Sequence, residues 1–140
     1  MTDHELLEKK LAFIETCLQE LRTLARPSAI ETDIKERRFI EHTLQICLQA
    51  AQDVASHIVS EDRLGEPSTN FELFTLLAKA GWLEERQVRS LRAAIGFRNV
   101  VVHGYAAVDP AVVRDVVENH LGDLAEFVSA IRARLPGAGR

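Results

Sequence analysis

The sequence predicts an all-α, single-domain protein, a bundle of four to five helices over residues 1–140 with a flexible tail from about residue 136. Apolar residues recur every three or four positions through most of the chain, which is the spacing of helices that bury one face. Proline, glycine and capping residues divide this pattern into segments of helical length. A chain of 140 residues is long enough to bury one hydrophobic core without disulfides or structural metals.

The first two helices are predicted from capping signals. A Thr-x-x-Glu capping box at residues 2–5 begins a helix that runs to about Ala25, because Pro27 cannot continue it. A Ser-x-x-Glu box at 28–31 precedes a long helix over about 30–59. The first half of this helix is polar, which fits either a subunit contact or a solvated end. The predicted core positions are Leu7, Leu11, Ile14, Leu18, Leu21 and Ala25 in the first helix and Leu44, Leu48, Ala51, Ala55 and Ile58 in the second.

A third capping box, at residues 69–72, opens a short helix that ends at Gly81. The fourth helix is predicted over about 84–102. The three valines at 100–102 would also suit a strand, but the chain offers no second strand to pair with them. We therefore expect residues 99–103 to be helical, with the helix ending at Gly104.

The last predicted helix begins with Asp109 as its N-cap and Pro110 in its first turn. Its apolar positions continue to Leu135, where a tail rich in proline and glycine follows. These positions are Val113, Val117, Leu121, Leu124, Val128, Ile131 and Leu135. The pattern predicts one continuous helix and completes the count of five.

Composition limits the function. Seventeen basic and twenty-one acidic residues give a net charge of -4, so no overall positive field attracts nucleic acid, and any RNA contact needs a local patch. Cys17 and Cys47 lie in helical segments without a Cys-x-x-Cys motif, which predicts reduced core thiols in a cytoplasmic protein. No ligand cluster suggests a metal or another cofactor, and no stretch approaches the roughly 20 apolar residues of a membrane span.

The most informative stretch is 98–105, Arg-Asn-Val-Val-Val-His-Gly-Tyr. Arg98 falls within the apolar stripe of the fourth helix, where Val88, Leu91 and Ile95 mark the buried face. A guanidinium at such a position is costly to bury without a partner. It therefore predicts an anion, a cleft or a subunit interface at this face.

Arg98 and His103 have the chemistry for attack of a ribose 2′-hydroxyl on its neighbouring phosphate. Histidine exchanges protons near neutral pH, and the guanidinium stabilises charge on phosphoryl oxygens. Residues five apart on a straight helix point roughly 140° away from each other, so the two converge only if the helix loosens near Gly104. Cleavage also needs an acid as well as a base, which a symmetric dimer would supply as a second histidine. The simpler alternative is a histidine that stabilises a helix C-terminus.

Asp53 and His57 lie four residues apart, hence on one face of the second helix. They could form a carboxylate–imidazole pair that only holds the helix surface, or they could line a site.

Residues 96–105 closely resemble the signature of the HEPN superfamily, in particular its HepT-like branch. The signature is Arg, four residues, His, one residue and Tyr, and Arg98, His103 and Tyr105 match it. The segment 53–59 also resembles the Asp-x-Ala-x-His-Ile segment that the branch carries on its second helix.

This resemblance implies a HEPN-type dimeric bundle acting as a metal-independent RNA endonuclease, the toxin of a toxin–antitoxin pair. Arg98 and His103 would be the catalytic pair at the homodimer cleft. Tyr105 would receive AMP from a cognate antitoxin that resembles a minimal nucleotidyltransferase. Possible cleft-lining residues are Asp53, His57 and Asn99.

Two other functions remain open at this point. The chain could be a non-catalytic helical module that binds a nucleotidyltransferase partner or a nucleotide, or a helical dimer without any site. The net charge of -4 favours the binding module, and the complete motif favours the enzyme.

Overall fold

Six α-helices and one 3₁₀ turn make up the part of the chain that the structure, a computed structural model, describes: residues 2–103 and 109–135, with side chains for 4–96 and 109–135. The helices are α1 (Thr2–Leu24), α2 (Ile34–Glu61), α3 (Glu72–Lys79), α4 (Glu85–His103), α5 (Pro110–Asn119) and α6 (Leu121–Arg134), and the 3₁₀ turn is Pro27–Ala29. No strand occurs in these residues, so the all-α prediction is confirmed. None of these helices is long and apolar enough to cross a membrane.

The α1/α2 hairpin forms one side of the core. The predicted apolar positions from Leu7 to Leu21 are buried, and Ala25 is half-buried just beyond the end of α1. On α2, the predicted stripe from Leu44 to Ile58 is buried as well. The other face of α1 packs against α6, while α2 also contacts α3 and α4.

The start of α2 differs from the prediction. The capping box at 28–31 does not form, because residues 27–29 wind into the 3₁₀ turn and Ile30 is buried, with 1% of its surface exposed. The helix begins four residues later, at Ile34, where Asp33 Oδ1 accepts hydrogen bonds from the backbone N–H groups of Lys35 (2.9 Å) and Glu36 (3.4 Å). Burial of Ile30 therefore decides the position of the N-cap.

The short helix α3 forms as predicted, with a modified cap. The Thr69 hydroxyl accepts a hydrogen bond from the Glu72 N–H at 3.2 Å, but the Glu72 carboxylate reaches Ser68 rather than Thr69. Gly81 ends the helix with φ +86°, a conformation that side chains disfavour. On the buried face, Phe74 meets Phe127 of α6 edge to face, with ring centroids 5.6 Å apart.

The single C-terminal helix that the sequence predicts is in fact two helices, α5 and α6. The Asp109 cap is confirmed, since its Oδ1 accepts from the Ala111 N–H at 2.9 Å. The break falls at His120 (φ -123°, ψ 3°), whose ring nitrogens lie 2.9 Å from Asp123 Oδ2 and 3.2 Å from Asp115 Oδ2. The apolar spacing keeps its phase through this joint, so periodicity alone does not reveal it.

Cys17 and Cys47 lie side by side in the interface of α1 and α2, although 30 positions separate them in the sequence. Both are free and buried, with 1% and 0% of their surfaces exposed. Their thiol–thiol hydrogen bond and burial raise the pKa of Cys47 far above its ordinary range. The expected reduced core thiols are therefore present, and the pair contributes to the core as two small apolar side chains.

An ion cluster joins α6 to α1. Arg132 Nε donates to Glu8 at 2.7 Å, and its two Nη atoms donate to the two Glu15 oxygens at 3.0 Å each. The hydrogen bonds from Arg132 lower the pKa of Glu15 below its ordinary 4.5. All three side chains are partly exposed, which limits the energy of the cluster.

We expect Arg132→Gln to lower the free energy of unfolding by about 1 kcal/mol or less at neutral pH. Because the folded-state pKa of Glu15 is lowered, its contribution is present above the unfolded pKa and is lost as the pH falls through the folded one. Urea unfolding of both proteins, at neutral pH and below about pH 4, measures the difference. Arg114→Gln, which removes a pair within α5, is the control. An equal deficit at both pH values would contradict the role of Glu15.

Candidate functional site

The candidate catalytic residues belong to the last turns of α4. Arg98, Asn99 and His103 lie within its helical backbone, while their side chains and the whole of Tyr105 lie outside the described residues, as does the predicted flexible tail from 136. The prediction that residues 99–103 are helical rather than extended is confirmed. Gly104, the predicted helix end, also lies outside the described part.

The first half of α4 is anchored as the apolar stripe predicts. Val88, Leu91 and Ile95 are buried, and α4 contacts α2, α3, α5 and α6. Arg92, on another face of the helix, places its guanidinium 4.4 Å from the centre of the Phe71 ring. The segment that carries Arg98 and His103 thus continues from a helix packed on four others.

The backbone of α4 stays helical through His103. The loosening that would bring Arg98 and His103 together within one chain is therefore not observed between residues 98 and 103. On a continuous helix, positions five apart differ by roughly 140° in direction.

Asp53 is held in place by two side chains. Its Oδ2 accepts a hydrogen bond from Lys10 Nζ at 3.2 Å, and its Oδ1 accepts one from Gln49 Nε2 at 2.9 Å. Gln49 lies one turn earlier on α2, whereas Lys10 comes from α1. Both carboxylate oxygens are thereby oriented, and the lysine compensates the charge.

His57 lies one turn after Asp53 on the same helix and is half-buried, with its Nε2 atom shielded from solvent. The neighbouring α2 residues Val54, Ala55 and Ile58 are buried in the core. His57 thus lies where the solvated face of α2 meets the core, on the helix that packs against α4.

Two open cavities flank this segment of α2. The first, of about 420 Å³, lies between α1 and α2; it is lined mainly by apolar groups and has Asp53 at its edge. The second, of about 520 Å³, lies at the end of α2 and presents the hydroxyls of Ser56 and Ser60 and the guanidinium of Arg63, together with Glu66. Hydroxyl and guanidinium groups suit phosphate oxygens. The two sides of the segment therefore differ in chemistry.

Among the side chains that the structure describes, no group of three or more His, Cys, Asp or Glu residues is close enough to hold a metal ion.

The helical bundle and the Arg-x4-His sequence on its fourth helix define a protein of the HEPN class. A model of the ribonuclease HepT-like family matches residues 14–131, which contain both motifs, and the chain belongs to this family.

Characterised relatives and solved structures support the assignment. The chain is 29% identical to the mRNA nuclease HepT of Shewanella oneidensis over 93% of this chain and 98% of that protein. It is also 29% identical to the tRNA nuclease HepT of Aphanizomenon flos-aquae, over 93% and 90% of the two chains. In a solved structure, the tri-AMPylated HEPN toxin of Shewanella oneidensis is in complex with an MNT antitoxin. It aligns with a TM-score of 0.82 and 29% identity over 92% of this chain and 98% of that one.

Sequence reasoning missed the two partners of Asp53. Gln49 could have been found, because a glutamine four residues before an aspartate on a helix is a known stabilising pair. Lys10 could not, because it is 43 positions away and only the packing of α1 on α2 brings it close.

Proposed function

We propose that this protein is the toxin of a toxin–antitoxin pair, an RNA endonuclease that acts in the cytoplasm as a homodimer. The observation that carries the proposal is the family match over residues 14–131, which includes the complete Arg98–His103 motif. The nuclease names of the two HepT relatives support ribonuclease activity, one toward mRNA and the other toward tRNA.

The proposed reaction is attack of a ribose 2′-hydroxyl on the adjacent phosphorus. His103 takes the hydroxyl proton as general base, the new 2′-oxygen–phosphorus bond forms, and the bond to the 5′-oxygen breaks. Arg98 stabilises the charge that builds on the phosphoryl oxygens. A protonated histidine gives a proton to the leaving 5′-oxygen. These steps use side chains alone, so we propose a metal-independent reaction.

The second histidine is the reason to propose a homodimer. One chain supplies a single motif histidine, whereas the reaction uses a base and an acid. The continuous helical backbone through His103 favours convergence across a two-fold axis over convergence within one chain. Asp53, His57 and Asn99 are proposed to line this cleft and to orient the motif side chains or the RNA.

The antitoxin is proposed to be a nucleotidyltransferase that adds AMP to Tyr105. The complex of an AMPylated HEPN toxin with an MNT antitoxin supports both the partner and the modification. Each added AMP brings bulk and a negative phosphodiester two positions from His103, where an RNA phosphate is proposed to bind.

The alternative is a non-catalytic module that binds a nucleotidyltransferase or a nucleotide. The net charge of -4 is the observation that favours it, because RNA-binding surfaces are usually basic. The two proposals differ in whether the purified chain cleaves RNA.

The test incubates the purified protein with total RNA and defined oligoribonucleotides in excess EDTA. Cleavage that leaves 2′,3′-cyclic phosphate ends is expected, because the 2′-oxygen is the nucleophile. A matched oligonucleotide with 2′-deoxyribose at the cleaved position is the control and should stay intact. No cleavage would favour the binding module, and cleavage only with added divalent metal would refute the metal-independent reaction.

A further inference from the structure

The large apolar side chains that remain exposed are concentrated on one side of the molecule. Five large apolar residues are exposed in the described part of the chain, and four of them lie on the α1/α2 hairpin: Leu6, Phe13, Leu24 and Ile34. Leu6, Phe13 and Leu24 are 45%, 43% and 62% exposed. Their separations of seven and eleven residues place them on a single line along α1. Residues on one helical line that stay apolar and exposed indicate a face covered by a partner.

This line borders the apolar cavity between α1 and α2, which we call the α1/α2 groove. Leu6 and Phe13 of α1 and Ile46 and Ala50 of α2 form its apolar floor. Its polar rim consists of Lys9, Lys10, Gln49 and Asp53. The groove thus has the apolar centre and polar rim of a protein–protein interface.

We propose that a second copy of this chain occupies the α1/α2 groove, and that this contact brings the two candidate sites together. This inference rests on the proposed function, because it names the surface by which the shared cleft forms. The other candidate occupants are the antitoxin and RNA.

Charge complementarity is the first argument for a second copy. A two-fold contact pairs a surface with itself, so it needs charges of both signs on one rim. The rim supplies Lys9 and Lys10 on one side and Asp53 on the other. Within the described residues Lys9 has no ion-pair partner, so it is available to a carboxylate of the second copy.

Length is the second argument. Leu6 and Leu24 are 18 residues apart, which is about 27 Å along a helix. An apolar line of this length on both copies fits the roughly 800 Å² per partner that a stable dimer buries.

Position is the third argument. Asp53 at the edge of the groove lies one turn from His57, on the helix that packs against α4 and its Arg98–His103 segment. A copy seated in the groove therefore lies beside the candidate site. RNA would be served better by the other cavity, where Ser56, Ser60 and Arg63 offer groups that bind phosphate.

The experiment places a glutamate in the groove. Light scattering coupled to gel filtration should give twice the chain mass of 15.7 kDa for the wild type and a single chain mass for Phe13→Glu. Leu6→Glu is a second, independent variant in case Phe13→Glu does not fold, and circular dichroism reports the helical content of each. Val112→Glu is the matched control, because Val112 is 46% exposed but lies on α5, and it should keep the wild-type mass.

RNA cleavage by the same proteins separates this inference from the proposed function. Both groove variants are expected to be monomeric and to lose cleavage at least tenfold. A dimeric wild type and monomeric groove variants with no cleavage in any protein would support the groove and refute the ribonuclease. Folded groove variants that stay dimeric would overturn the proposal, whether or not they lose binding of the antitoxin or RNA. A monomeric wild type would overturn it too, and a monomeric variant that cleaves at the wild-type rate would refute completion of the site by the partner.

Discussion

Replacing His103 by alanine is expected to lower the rate of RNA cleavage by about 10²–10⁴-fold, the usual contribution of a general acid–base group. In a two-fold cleft the substitution removes both histidines at once, so the upper part of this range is expected. The rate constant for cleavage of a fluorescent oligoribonucleotide in excess EDTA measures the effect. Growth of cells that express the variant measures the same loss in vivo.

His120→Gln is the control for this substitution. His120 is held by Asp115 and Asp123 at the joint of α5 and α6, where it has a local structural role, so cleavage should stay near the wild-type rate. His103→Ala should keep the mass and the helical content of the wild type. Undiminished cleavage by His103→Ala would show that the general base is a different group, and His57 would then be the next candidate.

The bundle itself is largely predictable because its signals are local. The apolar stripes from Leu7 to Leu21 and from Val88 to Ile95 are properties of short stretches, and burial follows from them directly. The start of α2 is not local. Ser28 and Asp33 are both acceptable N-caps, and burial of Ile30 in the core selects the second.

The α5–α6 joint and the surroundings of Asp53 show what periodicity does not contain. At His120 the backbone breaks while the apolar spacing continues in phase, so the sequence reads as one helix. The Lys10–Asp53 ion pair depends on how α1 packs on α2, across 43 positions. The motif of Arg98 and His103 is visible in the sequence, but its convergence depends on packing between helices and between copies, which no spacing rule supplies.

Modification of Tyr105 is expected to abolish cleavage almost completely when the protein is produced with its nucleotidyltransferase antitoxin. An AMP phosphodiester carries one negative charge, and two like charges about 6 Å apart at an effective dielectric constant of 20 repel by about 3 kcal/mol. That energy weakens binding of an RNA phosphate by more than about 100-fold. Intact-mass spectrometry should show added mass in whole units of AMP, with cleavage falling in proportion to the modified fraction.

Tyr105→Phe makes this test specific, because Tyr105 is the only tyrosine in the chain. Without its hydroxyl no AMP can be attached through a tyrosine, so the added mass should disappear, and the antitoxin should no longer suppress growth arrest. Incubation of the wild type with the antitoxin but without ATP separates modification from simple binding. Suppression that persists without ATP would mean that the antitoxin inhibits by occupying a surface. AMP units on Tyr105→Phe would place the modification on serine, threonine or another nucleophile. Since the adduct acts by charge and bulk beside His103, its removal by a phosphodiesterase should restore cleavage without refolding.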